Sequence, residues 1–218
     1  MTKFIGIDDA GRGPVIGPMI LAGVLIDENE NNILTKWGAK DSKLLTPKKR
    51  KETKEQIKDH FESHIEVTSP EEIDKSSNLN YLEAVKAAMI INKLTKNLKE
   101  KVKVIIDCPS VNIESWSNDV QKLINKPEIV SLICEHKADV NHPVVSAASI
   151  LAKEKREDEI LKIKVENGID FGSGYPSDPK TKEFIKKNFD NKKYSQIIRF
   201  SWDTVKRLVK EKNQKSLF

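Results

Sequence analysis

The chain has 218 residues, of which 38% are hydrophobic, enough for one large domain, or a domain with a small appendage, to bury a core of its own. Lys and Arg outnumber Asp and Glu by 38 to 33, a surplus that suggests a polyanionic partner without proving one, since solvated helical faces carry the same mixtures. No apolar run approaches the ~18 residues of a membrane span and the start lacks a basic segment followed by a long apolar one, which argues against a membrane protein or a secreted one and for the cytoplasm.

Two short apolar runs, residues 4–7 and 19–26, flank a loop rich in Gly and Pro and read as neighbouring strands. Thr46-Pro47 opens a charged helix expected to reach about His64, residues 65–68 form a possible strand, and Ser69-Pro70-Glu71-Glu72 repeats the capping chemistry before a short helix. Leu79, Leu82, Val85, Met89 and Leu94 recur at helical spacing, which predicts an amphipathic helix over 79–97 with that stripe in the core. Residues 101–106 read as a strand ending in Asp107, 110–124 as a helix and 129–135 as a strand. Pro143 begins a long helix whose first half, VVSAASILA, is small and apolar and whose second half is charged, so the first half is expected to be buried and the second to emerge. The stretch GSGYPSDP, residues 172–179, must be a loop or turn, and helices are expected at 180–188 and 203–212. Strands alternating with helices indicate an α/β layer architecture, divided here as a core over 1–170 and a helical C-terminal lobe and tail over 171–218. Cys108 and Cys134 sit in apolar segments and read as small hydrophobes in a reducing compartment, not as a disulfide or zinc site.

Asp8, Asp107 and Asp139 each stand at or just past the end of an apolar segment, where an α/β sheet offers side chains to a crevice. Neighbouring strand residues point to opposite faces, so Asp8 and Asp9 share a site only if the chain turns directly after Asp8, as Ala10-Gly11 permits. Carboxylates gathered this way need a cation, and hard oxygen donors without histidine or thiolate favour Mg²⁺ or Mn²⁺. The competing reading makes Asp8-Asp9 the start of a turn and Asp139 the start of a loop. His142, before a proline at a helix start, reads as structural.

Taken in order, GIDDAGRGPVIGP, Asp41-Ser42-Lys43, IIDCPS, ADVNHPVVSAASILAKEKRE, GSGYPSDPKT and IIRFSWDT resemble the motifs of archaeal ribonuclease HII, the type 2 ribonuclease H, from residue 4 to about 207. The resemblance implies a ribonuclease H-like α/β core, a mixed sheet flanked by helices, with a helical C-terminal extension. It also implies hydrolysis of the phosphodiester 5′ of ribonucleotides, in RNA–DNA hybrids or singly embedded in duplex DNA, leaving a 3′-hydroxyl and a 5′-phosphate. By matched position Asp8, Asp9, Asp107 and Asp139 would hold two divalent ions, Mg²⁺ or Mn²⁺. Asp9 departs from the family's usual glutamate, with a reach shorter by one methylene.

Gly11, Arg12 and Gly13 would bring backbone groups to the 2′-hydroxyl. Arg12 and Lys43 would meet phosphates, and Tyr175 would pack on the sugar or base at the junction. Ser146, Ser149 and Lys153 share a helix face and are expected as contacts to the DNA backbone, Ser149 equally as plain packing. Arg199 and Trp202 are expected to pin the C-terminal lobe. Residues 214–218, QKSLF, resemble the start of a clamp-binding box, which would make a sliding clamp a partner, against the alternative of a disordered basic tail. The alternative from a different class is a noncatalytic basic nucleic-acid-binding module, which would not require four carboxylates at strand ends.

Overall fold

The computed structural model describes residues 2–39 and 46–215. Asp41, Ser42 and Lys43 lie outside the described residues. Among the described residues five strands form one sheet in the order β3-β2-β1-β4-β5: β1 (Lys3–Ala10), β2 (Met19–Asp27), β3 (Glu62–Thr68), β4 (Val102–Asp107) and β5 (Val130–Glu135). β1 pairs antiparallel with β2 and parallel with β4, and β4 parallel with β5, so the sheet is mixed, as expected of a ribonuclease H-like core.

The helices are α1 (Asn31–Lys36), α2 (Pro47–His60), α3 (Pro70–Lys75), α4 (Leu79–Leu94), α5 (Ile113–Lys122), α6 (Ala138–Asn141), α7 (Pro143–Asn167), α8 (Pro179–Asn188) and α9 (Asp203–Lys215). Capping sets several starts: the Thr46 hydroxyl accepts from Lys49 N–H at 3.2 Å, Ser69 from Glu72 N–H at 3.1 Å, and the Asn112 side chain from Ser115 N–H at 3.0 Å. α2 ends at His60, earlier than expected, because Phe61 is already extended and the chain enters β3 at Glu62. α5 begins only after Asn112, because this residue caps it. α1 and α6 were not anticipated; six and four residues are too few to carry a periodic stripe.

By compactness the chain forms two units: one of Met1–Ala10, Ile20–Glu66 and Asn78–Lys155, the other of Gly11–Met19, Val67–Ser77 and Arg156–Phe218. The second therefore contains the Gly/Pro loop after β1 as well as the C-terminal helices.

In the first unit, helices cover both faces of the sheet. A Cβ on Gly6 of β1 would lie 2.4 Å from the Val144 carbonyl, so the apolar first half of α7 rests directly on the strand backbone. On the opposite face a Cβ on Gly23 of β2 would lie 2.3 Å from Ile90 Cγ2 of α4. That close approach decides which side of α4 is buried: Ala84, Ala87, Ile90, Ile91 and Leu94 face the sheet, while Met89 is exposed and Leu82 and Val85 are half-buried. The predicted stripe through Leu82, Val85 and Met89 is thus displaced, because small residues beside a glycine pack closer than large ones. In the second unit Val15, Ile16, Phe171, Ile185, Ile198 and Val205 form a separate core.

Candidate metal centre and recognition loop

β1 delivers the first acid. Gly6 and Asp8 lie on the α7 face of the strand, and Ile7 and Asp9 on the α4 face, by strand alternation. The strand does not turn after Asp8 as expected; it stays paired through Asp9 and Ala10, opposite Leu21 and Ile20. Asp8 and Asp9 are therefore held on opposite faces, joined by the Asp9 N–H, which donates to Asp8 Oδ1 at 2.7 Å.

Asp8, two residues before the end of β1, Asp107, at the end of β4, and Asp139, on α6, each offer a carboxylate oxygen within 4.8 Å of the others. Asp9 lies outside this group of three. Asp107 accepts from the Ala138 N–H at 3.3 Å. The residue before that amide, Lys137, has φ 60°, the one non-glycine in the left-handed region among the described residues, a conformation that costs an L-residue about 1–2 kcal/mol. The loop from β5 to α6 thus holds a strained residue where the amide turns toward Asp107.

Burial, then the charge of Asp9 and that of Asp107, push the Asp8 carboxyl up to about 8, while Ser149 and the Asp9 amide act in the opposite direction. A carboxylate so reluctant to ionise among other acids marks a negative-charge excess that a cation would relieve. The donors are all oxygens, so the three aspartates fit a hard divalent cation.

A cavity of about 10 Å³, the size of a single water, is bordered by Asp8 and Asp9 alike, together with Asp107, Trp116 and Glu83. Glu83, nearly completely buried on α4, is the acid that sequence reasoning missed. Its only signal was a glutamate four residues before Ala87 and seven before Ile90, on the side that turned out to be the inner one.

The expected backbone contacts on α7 divide. Ser146 and Ser149 are fully buried, so neither presents its hydroxyl to a DNA backbone; Ser149 instead adjoins Asp8. Their small side chains belong to the face that packs on the sheet. Lys153 is half-buried. The charged second half of α7 does not wholly emerge either, for Glu154 and Arg156 are buried, Glu154 in an ion pair with Arg50 of α2. His142 pairs with Glu135 at 2.9 Å. Cys108 is buried, Cys134 half-buried, and both are free thiols.

In the second unit, the Gly11-Arg12-Gly13 loop is built around Arg199, fully buried. Its Nη2 donates to the Gly11 carbonyl at 2.7 Å, Nη1 to the Arg12 carbonyl at 2.9 Å and Nε to the Gly17 carbonyl at 2.8 Å. Burial first, then the neighbouring Arg156 guanidinium, pull its pKa down to about 9, so it remains cationic at neutral pH. Trp202 Nε1 donates to the Gly13 carbonyl at 3.0 Å. Gly11 has φ +85°, and a Cβ there would strike Arg156 Cδ at 2.7 Å; both requirements select glycine.

Because a trans peptide aims its N–H opposite to its C=O, holding the Arg12 carbonyl inward turns the Gly13 N–H outward. That N–H has no hydrogen-bond partner among the described residues, and Gly13 is exposed, its hypothetical Cβ 3.6 Å from Tyr175 Cε1. Arg12 is half-buried and Tyr175 retains 39% exposure. A free amide donor and an accessible aromatic ring therefore stand side by side.

A family model described as ribonuclease HII matches residues 5–205. Ribonuclease HII of Methanococcus maripaludis is 45% identical over 219 residues, covering 98% of this chain and 90% of the relative. Among solved structures, ribonuclease H2 from Pyrococcus horikoshii superposes with a TM-score of 0.86 at 36% identity, covering 97% of this chain and 99% of that one. A structure of the PCNA–RNase HII complex from Archaeoglobus fulgidus is similar with a TM-score of 0.81 at 36% identity, covering 94% and 96%.

Proposed function

The chain belongs to the ribonuclease HII family and is a type 2 ribonuclease H, and on that footing we propose which residues carry the reaction. The substrate is an RNA–DNA hybrid, or duplex DNA with a single embedded ribonucleotide, cut on the 5′ side of the ribonucleotide to leave a 3′-hydroxyl and a 5′-phosphate. The observation that carries the reading is the meeting of Asp8, Asp107 and Asp139 within 4.8 Å, near the end of β1, at the end of β4 and on α6. With Asp9 they would hold two ions of Mg²⁺ or Mn²⁺, which when bound supply an activated water and neutralise charge on the leaving oxygen.

What the chain itself contributes is positioning. Asp107 is oriented by the Ala138 amide, and Asp8 is kept on the α7 face by strand pairing. Asp9 adds its charge from the opposite face. The Gly13 N–H is a donor suited to a 2′-hydroxyl, which DNA lacks, and Tyr175 offers an apolar face to the sugar beside it. Gly11 allows the loop its course, and Arg12, Lys43 and Lys153 supply cations for phosphates without reading sequence.

The tail is the proposed contact to a sliding clamp, through residues 214–218. The support is the similarity to a ribonuclease HII solved with PCNA and the exposed Gln214 near the end of α9; Ser216, Leu217 and Phe218 lie outside the described residues. Two free cysteines suit the reducing cytoplasm as the place of action.

The test is incubation with duplex DNA carrying one ribonucleotide, with and without Mg²⁺, using the parent, Asp9→Asn and Asp9→Glu. Metal-dependent cleavage 5′ of the ribonucleotide is expected of the parent. Asp9→Asn should lose turnover by about a hundredfold, since a carboxamide cannot neutralise a cation, and Asp9→Glu should keep it. Cutting only in stretches of consecutive ribonucleotides would sink the junction-reading role, and parent-like turnover by Asp9→Asn would remove Asp9 from the site.

A further inference from the structure

The Tyr175 ring has a back as well as an exposed front, and the back is occupied. Arg156, on α7 and only 7% exposed, has its Cζ 5.0 Å from the ring centroid. Its Nη2 donates to the Ser173 carbonyl at 3.0 Å. A Cβ on Gly11 would meet its Nε at 2.8 Å, and one on Gly174 would meet Nη2 at 3.7 Å. Its ion pair, with the largely exposed Glu157, spans 3.8 Å, too long and too solvated to set the position of the guanidinium. One side chain thus touches the glycine that opens the recognition loop, the carbonyl two residues before Tyr175, and the face of the tyrosine ring.

We propose that Arg156 is a positioning residue for ribonucleotide discrimination: it fixes the Tyr175 ring relative to the Gly11-Arg12-Gly13 loop, and its influence on the substrate passes through Tyr175. The proposal rests on the reading that Tyr175 packs against the sugar at the junction. A partly exposed tyrosine supported on one side only by solvent would populate several rotamers and would have to be ordered by each substrate that binds. The flat guanidinium beneath it removes that freedom beforehand through a desolvated cation–π contact. Its Nη2, held by the Ser173 carbonyl, keeps the support from following the ring. Lysine can supply the charge but neither the flat face nor the fork.

The experiment is a double-mutant cycle in kcat/KM, with Arg156→Met, Tyr175→Ala and the double variant assayed on a single-ribonucleotide duplex and on a uniform RNA–DNA hybrid. Arg156→Met should cost about tenfold on the single-ribonucleotide duplex when Tyr175 is present, mainly through KM, and about twofold or less when position 175 is alanine. The hybrid should be affected less than the single-ribonucleotide duplex. An equal fold loss in both backgrounds would overturn the positioning role. Tyr175→Ala alone separates the two ideas: equal losses on both substrates would defeat the reading of Tyr175 itself, whatever Arg156 does. Should Arg156→Met fail to fold, Arg156→Lys replaces it in the same cycle; a loss confined to the Tyr175 background supports the proposal, and one shared by both backgrounds overturns it.

Discussion

The acidic end of the sheet and the arginine-centred loop solve the burial of charge in opposite ways. Around Arg199 every hydrogen-bonding nitrogen of the guanidinium finds a backbone carbonyl, so the cation is compensated from within and the loop is finished before any ligand arrives. Around Asp8 the neighbours are further acids, Asp9 and Asp107, and the carboxyl is pushed up to about 8. That region is incomplete by its own electrostatics and calls for a cation from outside. On the function proposed above, the difference teaches where each part of the chemistry would reside: charge neutralisation would be left to bound ions, and shape recognition would be built into the covalent chain.

The strongest way to break this contrast is Asp8→Asn. The substitution should lower turnover by roughly a thousandfold, because a ligand worth several kcal/mol of charge stabilisation is lost, yet it should raise the thermal midpoint of the metal-free protein. The sign follows from linkage. The folded pKa of about 8 lies above the ordinary aspartate value, so the metal-free folded protein holds a proton that the unfolded chain has released. Its contribution to stability is present in full below the ordinary value and is lost as pH rises through about 8. A divalent ion must displace the same proton. The gain in thermal midpoint on adding Mn²⁺ should therefore grow from pH 6 to pH 8 in the parent and be largely absent in Asp8→Asn. A gain independent of pH would contradict the charge excess.

Removing the finished charge should act on stability before chemistry. Arg199→Met leaves the carbonyls of Gly11, Arg12 and Gly17 without their donor, at a cost of roughly 3 kcal/mol or more, read as a lower urea midpoint with an unchanged slope. What activity remains should be reduced alike on single-ribonucleotide and hybrid substrates. A urea midpoint equal to the parent's would mean that the loop does not depend on its buried cation.

The smallest expected effect sharpens the acidic side. Lys137→Gly should leave stability within about 1 kcal/mol of the parent, since relief of the left-handed strain is offset by the freer unfolded chain. Lys137→Val should cost about 1–2 kcal/mol, with a parallel weakening of Mn²⁺ affinity in calorimetry as the Ala138 amide leaves Asp107. Equal stability of the two variants would separate the strained backbone from the ligand it adjoins.

Much of this was legible along the chain. Asp8, Asp107 and Asp139 could be picked out because each stands at or just past the end of an apolar segment, and where such a segment ends is a property of local pattern. The Gly11-Arg12-Gly13 loop and Tyr175 could be read only through the resemblance of GIDDAGRGPVIGP and GSGYPSDPKT to the ribonuclease HII motifs; no local pattern singles them out. The sequence by itself therefore determined which residue types were available and roughly which elements would carry them. Only the tertiary structure decided on which face each would stand. Strand pairing through Ala10 set the Asp9 side chain on the other face of β1 from Asp8, where a local reading allowed a turn, while leaving its charge close enough to act on Asp8. The fit of α4 against Gly23 turned Glu83 inward and Met89 outward. The packing of α7 on Gly6 buried Ser146, and the loop gathered around Arg199 from a residue nearly the whole chain away. These outcomes depend on how closely two backbones can approach, which is set jointly by residues distant in sequence and leaves no periodic trace in either segment alone.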